Sequence, residues 1–228
     1  MLLLFDIDGT LLGSAAAAHR DALHAALVEV HGVDAAALGR PLSPAGRTDG
    51  EISRALLLGA GVSALRIDER ADDVRAVCCR EYAKLCQPSL ADRVLPGVAE
   101  LLEWLSSRDD VRLSLVTGNY EPVARLKLTR AGLGRHFPAG QGGFGSDAED
   151  RVALPPIARR RAGSDGISYP REQTIVIGDT PRDIACAHAD DLRVFAVATG
   201  PFAVEQLGDA DLALSDAREL LALMRRAL

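Results

Sequence analysis

Four short apolar runs frame this chain. Leu2-Leu3-Leu4-Phe5 is uninterrupted and ends at Asp6, and residues 111–116 (VRLSLV), 174–177 (TIVI) and 193–197 (RVFAV) have a similar character. Each is followed by a small or polar turn, as expected of strands covered on both faces of a parallel sheet. Helical patterns lie between and after them: ELLEWLSS, EPVARLKLTRAGL, ALPPIARRRA and PRDIACAHA. A weaker strand pattern covers 211–214, ahead of a last helix over 216–227. Strands alternating with helices predict an α/β fold with a doubly wound parallel sheet.

The alternation fails between about residues 14 and 93. That stretch reads as helix over 19–31, 49–58 and 63–85, with breaks such as Gly39-Arg40-Pro41 between the pieces. It offers no comparable strand, so it reads as an all-helical insertion after the first strand, with 88–96 as the returning linker. The predicted division is a catalytic core of 1–13 and 93–228 around an insertion of 14–92.

Composition narrows the classes. A chain of 228 residues, 48% hydrophobic and 25% charged, is long enough for one large domain with an appendage. A net charge of −6 argues against a nucleic-acid surface, and Arg159-Arg160-Arg161 reads as a solvated helix face. LLLF is too short for a signal peptide or membrane span, which places the expected protein in the cytoplasm, away from membranes. Cys78, Cys79, Cys86 and Cys186 form no C-x-x-C pair and read as free, buried thiols. His24 and His31, seven apart, read as packing or surface residues. Monomer and homodimer both fit.

The chemistry gathers where the strands end, which is where open parallel sheets bind ligands. The first strand delivers Asp6 and Asp8, the second Thr117-Gly118-Asn119, and the third Gly178-Asp179-Thr180 with Asp183 one helical turn on. A cation, Arg151, opens the helix before the third strand. Converging carboxylates call for a cation among them. An oxygen-only ligand set suits Mg²⁺ better than zinc. Asp6 then remains free to act as a nucleophile, Thr117 and the Gly118 turn supply donors to oxyanions, and Arg151 offsets charge on a transferring phosphoryl group. Gly9 permits close backbone approach. Each piece alone also reads as an ordinary turn or helix start. Together, and in this order, they read as phosphoryl transfer through an aspartyl-phosphate.

FDIDGTLL, VTGN, Arg151 and IGDTPRD, in that order, resemble the four motifs of the haloacid dehalogenase-like hydrolase superfamily. The insertion resembles the C1-type cap of its phosphoglycolate phosphatase and β-phosphoglucomutase branch. The resemblance implies that Asp6 is the nucleophile and that Asp8 is the general acid, then the base. It implies Thr117 as a phosphoryl holder and Asp6, the Asp8 carbonyl and Asp179 as Mg²⁺ ligands, with Asp183 in support. Arg151 stands where most of the superfamily has lysine; Lys127 and Arg159 are the fallback cations.

Substrate choice is expected in the cap. GRTDGEI, 46–52, holds a glycine turn, a cation at Arg47 and Thr48 as helix N-cap. Two readings of Arg47 stand level: contact with the substrate, or a solvated charge flanking the helix. Asn119 is a second candidate contact to substrate or phosphate. The leading function is a Mg²⁺-dependent phosphatase of a small phosphorylated metabolite, with a phosphomutase as the alternative. A receiver-type phospho-accepting domain is more remote, because it needs no cap and keeps its acidic pair apart from the accepting aspartate.

Overall fold

The computed structural model describes residues 1–13, 16–39 and 43–227. Among the described residues, six strands form one parallel sheet: β1 (Leu2–Phe5), β2 (Arg112–Thr117), β3 (Gly143–Phe144), β4 (Thr174–Gly178), β5 (Arg193–Val197) and β6 (Leu212–Leu214). Their order is β3-β2-β1-β4-β5-β6, with β1 central. Leu2 pairs with Arg112 on one side and Thr174 on the other, and the register runs to Phe5 opposite Leu115 and Ile177. The chain winds outward one way through β2 and β3 and the other way through β4 to β6. The switch point therefore falls between β1 and β4, where a doubly wound sheet opens a crevice at its carboxyl edge.

Alternation along β1 explains its unbroken apolar sequence. Leu3 and Phe5 join one buried layer, which includes Leu101, Leu102 and Leu105 of α5 (Val98–Ser106) and Leu220 of α9 (Ala217–Ala227). Leu2 and Leu4 join the other, with Leu154 and Ala158 of α7 (Leu154–Ala162) and Ile184 of α8 (Pro181–Ala189). A strand covered on both faces cannot afford a polar face.

The helical insertion comprises α1 (Ala16–His31), α2 (Asp49–Gly59), α3 (Ala64–Glu69) and α4 (Ala71–Leu85). Its apolar residues, among them Leu23, Leu27 and Tyr82, belong to the same buried layer as Leu3 and Phe5. The chain leaves and re-enters the core side by side: Leu12 pairs antiparallel with Val94, Gly13 N–H donates to the Arg93 carbonyl, and Leu95 N–H to that of Leu11. Arg40 and Pro41 of the predicted break lie outside the described residues. No helix among the described residues is long and apolar enough to cross a membrane. All four cysteines are free; Cys78, Cys86 and Cys186 are buried as expected, whereas Cys79 is half-buried.

Two elements differ from the sequence reading. The single helix over 63–85 is broken at Arg70, whose backbone leaves helical geometry at φ −115° and ψ 9°. The break lets α3 seat Ile67 against the cap interior while α4 turns to lie along α1. β3 went unpredicted because two residues carry no periodicity. Gly143 allows that edge strand close to α7: a Cβ there would sit 2.3 Å from the Leu154 carbonyl oxygen.

Candidate active site

β1, β2 and β4 end together, and the polar residues after each converge on one buried spot. Asp6 follows β1, with its N–H donating to the Ile177 carbonyl. Asp179 follows β4, and Asp183 lies in the first turn of α8. One carboxylate oxygen from each of Asp6, Asp179 and Asp183 lies within 4.8 Å of the others, and all three residues are buried. α8 holds Asp183 through its own start. Asp183 Oδ2 accepts the Thr180 N–H at 3.0 Å and its hydroxyl at 2.7 Å, and Thr180 in turn caps Asp183 N–H. Thr10 Oγ1 donates to Asp179 Oδ1 at 3.0 Å.

Arg151 is the buried cation of this cluster. Its Nη2 pairs with Asp183 Oδ1 and lies 3.2 Å from Asp6 Oδ1, so one guanidinium spans both acids. Of the three candidate cations it is the one paired with Asp6, whereas Arg159 is committed elsewhere, to Asp190 at 2.7 Å. The charge balance nevertheless stays negative. Burial, with help from neighbouring Asp183 and Asp8, raises Asp6 to about 7 against the pull of Arg151. Burial together with Asp183 and Asp6 raises Asp179 to about 9. Asp179 Oδ2 is buried without a hydrogen-bond partner, and Asp6 Oδ1 has only its ion pair with Arg151. Mutually repelling, under-partnered carboxylate oxygens in an all-oxygen cluster are the donor set that suits a hard divalent cation such as Mg²⁺. The backbone is shaped to this spot: Gly9 has φ +93°, and a Cβ on it would fall 2.2 Å from Asp179 Oδ2.

Asp8 has a different environment. Its carboxylate is in contact with Lys127 Nζ, at 2.7 and 2.6 Å from its two oxygens, and with Asn119 Nδ2 at 2.8 Å. Burial pushes Asp8 up, but Lys127, His19 and the hydrogen bonds from Lys127 and Asn119 outweigh it and leave the carboxyl below its ordinary value. Thr117 is fully buried, and its Oγ1 accepts from Asn119 Nδ2 at 2.7 Å. A cavity of about 420 Å³ opens beside Asp8 and Gly9, bounded also by Thr199 and Gly200.

The cap loop is seated on this edge. Asp49 N–H donates to the Gly118 carbonyl at 2.8 Å, and a Cβ on Gly118 would meet the Arg47 carbonyl oxygen at 2.1 Å. Thr48 caps α2 by accepting Glu51 N–H, and its hydroxyl donates to the Glu149 carbonyl at 2.6 Å. The Arg47 guanidinium, just ahead of α2, pairs with Glu51 in that helix's first turn. Sequence reasoning missed His19 and Thr10. His19 was lost in an alanine-rich helix start, and Thr10 inside a motif whose acids drew the attention.

The comparisons agree with this geometry. The profile of the family described as haloacid dehalogenase-like hydrolase matches residues 3–188. A phosphoglycolate phosphatase from Rhodospirillum rubrum is 31% identical over 207 residues, covering 86% of this chain and 79% of its own. In fold, the chain is similar to a β-phosphoglucomutase from Clostridium difficile, at TM-score 0.66 and 17% identity over 99% of this chain and 95% of that one. It is also similar to a hydrolase from Pseudomonas syringae, at TM-score 0.64 and 20% identity over 98% and 97%. The chain belongs to the haloacid dehalogenase-like hydrolase family. Within that family it is an enzyme of the phosphatase type.

Proposed function

We propose that the protein is a Mg²⁺-dependent phosphatase that hydrolyses a small phosphorylated metabolite through an aspartyl-phosphate on Asp6. The observation that carries this reading is the buried Asp6–Asp179–Asp183 cluster, with Asp179 Oδ2 unpartnered and Arg151 spanning Asp6 and Asp183, at the switch point of the sheet. In this reading residues 1–13 and 93–228 are the catalytic core and 14–92 the cap.

Asp6, the Asp8 carbonyl and Asp179 would hold the cation, and Asp183 supports them through its bonds to Thr180 and the Asp179 N–H. When bound, the cation supplies positive charge that offsets the carboxylates and the phosphoryl oxygens. Asp6 attacks phosphorus, and the substrate oxygen departs. Where the leaving oxygen needs a proton, Asp8 takes one from solvent and passes it on, and the ionised Asp8 then takes a proton from the water that attacks the phosphorylated Asp6. The resting Asp8, held below its ordinary value, is ready for the second of these roles. In this reading Thr117 and Asn119, bonded to each other, hold phosphoryl oxygens, and Arg151 fixes the Asp6 carboxylate. The similarity to a phosphatase favours water over a sugar hydroxyl as the acceptor.

The test is release of phosphate from 4-nitrophenyl phosphate, with and without Mg²⁺, beside Asp6→Asn. Mg²⁺-dependent release that Asp6→Asn abolishes is expected. Release that ignores the metal, or an Asp6→Asn variant as active as wild type, overturns the mechanism. Phosphoglycolate and a panel of sugar phosphates then rank substrates, and phosphoryl transfer to a sugar hydroxyl in place of phosphate release would mark a mutase.

A further inference from the structure

Arg151 occupies the third-motif place in space, which leaves Lys127 without the role that sequence order held in reserve for it. Lys127 lies on α6 (Glu121–Arg130), buried among Val123, Ala124 and Leu128 on that helix's inward face. Its side chain is 0% exposed, while that of Asp8 is 34% exposed. Burying an ammonium costs several kcal/mol of hydration unless close partners replace the water, and an apolar side chain would fill the space at lower cost. The partners are specific. Nζ donates to both oxygens of Asp8, to Asn119 Oδ1 at 2.7 Å, and lies 3.3 Å from His19 Nδ1.

The last contact links the core to the cap. His19 Nε2 lies 3.0 Å from Asp49 Oδ2, which also accepts the Tyr120 N–H at 2.7 Å. One imidazole tautomer serves both contacts, with Nδ1 accepting from Lys127 and Nε2–H donating to Asp49. Lys127 is thereby fixed from three sides: Asp8 and Asn119 in the core, and His19 from α1.

We propose that Lys127 is a positioning residue for Asp8, its ammonium bridging both carboxylate oxygens so that they face the water attacking the phosphorylated Asp6. The inference rests on the phosphatase reading above. In the step concerned, the water oxygen bonds to phosphorus and one water proton passes to Asp8. The bond between phosphorus and the Asp6 oxygen breaks, and its electron pair returns to the Asp6 carboxylate. Departure of an activated phenol needs no proton, so with such a substrate a misplaced Asp8 slows the second half-reaction and spares the first.

The experiment is steady-state and rapid-mixing kinetics with 4-nitrophenyl phosphate and Mg²⁺, comparing wild type, Lys127→Met, Asp8→Asn and Asp6→Asn. Lys127→Met is expected to lower kcat about 100-fold while kcat/KM stays within about threefold, the mark of a group that matters after the first irreversible step. A burst of nitrophenolate equal to the enzyme concentration is expected to appear, with Asp8→Asn showing the same pattern. Lys127→Gln keeps a donor in the site and is expected to lose about tenfold in kcat alone, which also covers a methionine variant that fails to fold. Variants of Lys127 that lower kcat and kcat/KM together, or that change neither, would overturn the proposal. An Asp6→Asn enzyme as active as wild type would overturn the phosphatase reading and this proposal with it, whereas loss of the split alone overturns only the role of Lys127.

Discussion

Asp6 and Asp179 share one physical difficulty: both are buried acids whose nearest fixed charges are mostly negative. Burial is the largest cause in each case, and it holds Asp6 at about 7 and Asp179 at about 9. The folded chain therefore keeps protons that the unfolded chain has already lost above the ordinary carboxylate value. Stability falls with rising pH wherever the native state binds more protons than the unfolded one. The metal-free protein should thus lose thermal stability steadily from about pH 5 to pH 9, in the window those two raised values define. Added Mg²⁺ should restore it, and by more at pH 9 than at pH 5. Thermal unfolding in EDTA against excess Mg²⁺ measures both slopes, and a flat metal-free profile would contradict the account. Gly9 belongs to the same scale. With φ +93° and only 2.2 Å between a Cβ and Asp179 Oδ2, Gly9→Ala must displace the carboxylate. A shift near 1 Å at a reacting centre costs about 100-fold, so phosphatase activity should drop by that order.

At the scale of elements, α2 carries the cap loop, and Thr48 is where that helix is tied down. Its hydroxyl accepts the Glu51 N–H and donates to the Glu149 carbonyl, so one side chain closes the helix end and joins it to the core. Thr48→Ala should cost about 1–2 kcal/mol, read by chemical denaturation, since a lost N-cap alone is worth about 1 kcal/mol. The elements also show what pattern reading reaches. The buried strands carry their identity locally, because a strand covered on both faces must be apolar throughout, and β1, β2, β4 and β5 were legible for that reason. The interruption at Arg70 was not, because no glycine or proline marks it and the demand comes from two packing partners far apart in sequence. β3 stayed hidden because it is two residues long and exists only by pairing with Val116 and Thr117.

Over the whole molecule, cap and core meet along a close-packed seam. Gly46, at φ +70°, brings the cap loop so near the core that a Cβ would fall 2.5 Å from Thr180 Oγ1 and 2.8 Å from Arg182 Cβ. Both substituted atoms and the strained φ work against alanine there. Gly46→Ala should therefore lift the loop from its seat and lower kcat/KM about tenfold or more, a seating effect on reactant positioning. The melting temperature should fall as well, because alanine at a positive φ is strained and its Cβ meets the core. An unchanged kcat/KM would show that loop seating does not govern turnover.

The site divides along the same line between local and distant information. Asp6, Asp8, Thr117, Asp179 and Asp183 could be placed together from sequence because each lies at a strand end or within a helical turn of one, and a parallel sheet brings strand ends to one edge. Which cation serves which acid was not legible. Sequence order made Arg151 the first choice beside Asp6, with Lys127 and Arg159 behind it, but it could not show that Lys127 belongs to Asp8 or Arg159 to Asp190. Those pairings depend on where α6, α7 and α8 lie against the sheet. By itself the sequence determined the winding of the sheet, the place of the acids and the presence of a helical insertion, since these follow from local hydrophobic pattern and chain order. Only the tertiary structure decided the partner of each charge, the break at Arg70 and the seating of the cap, because ion pairs and close contacts depend on distances between segments that lie far apart along the chain.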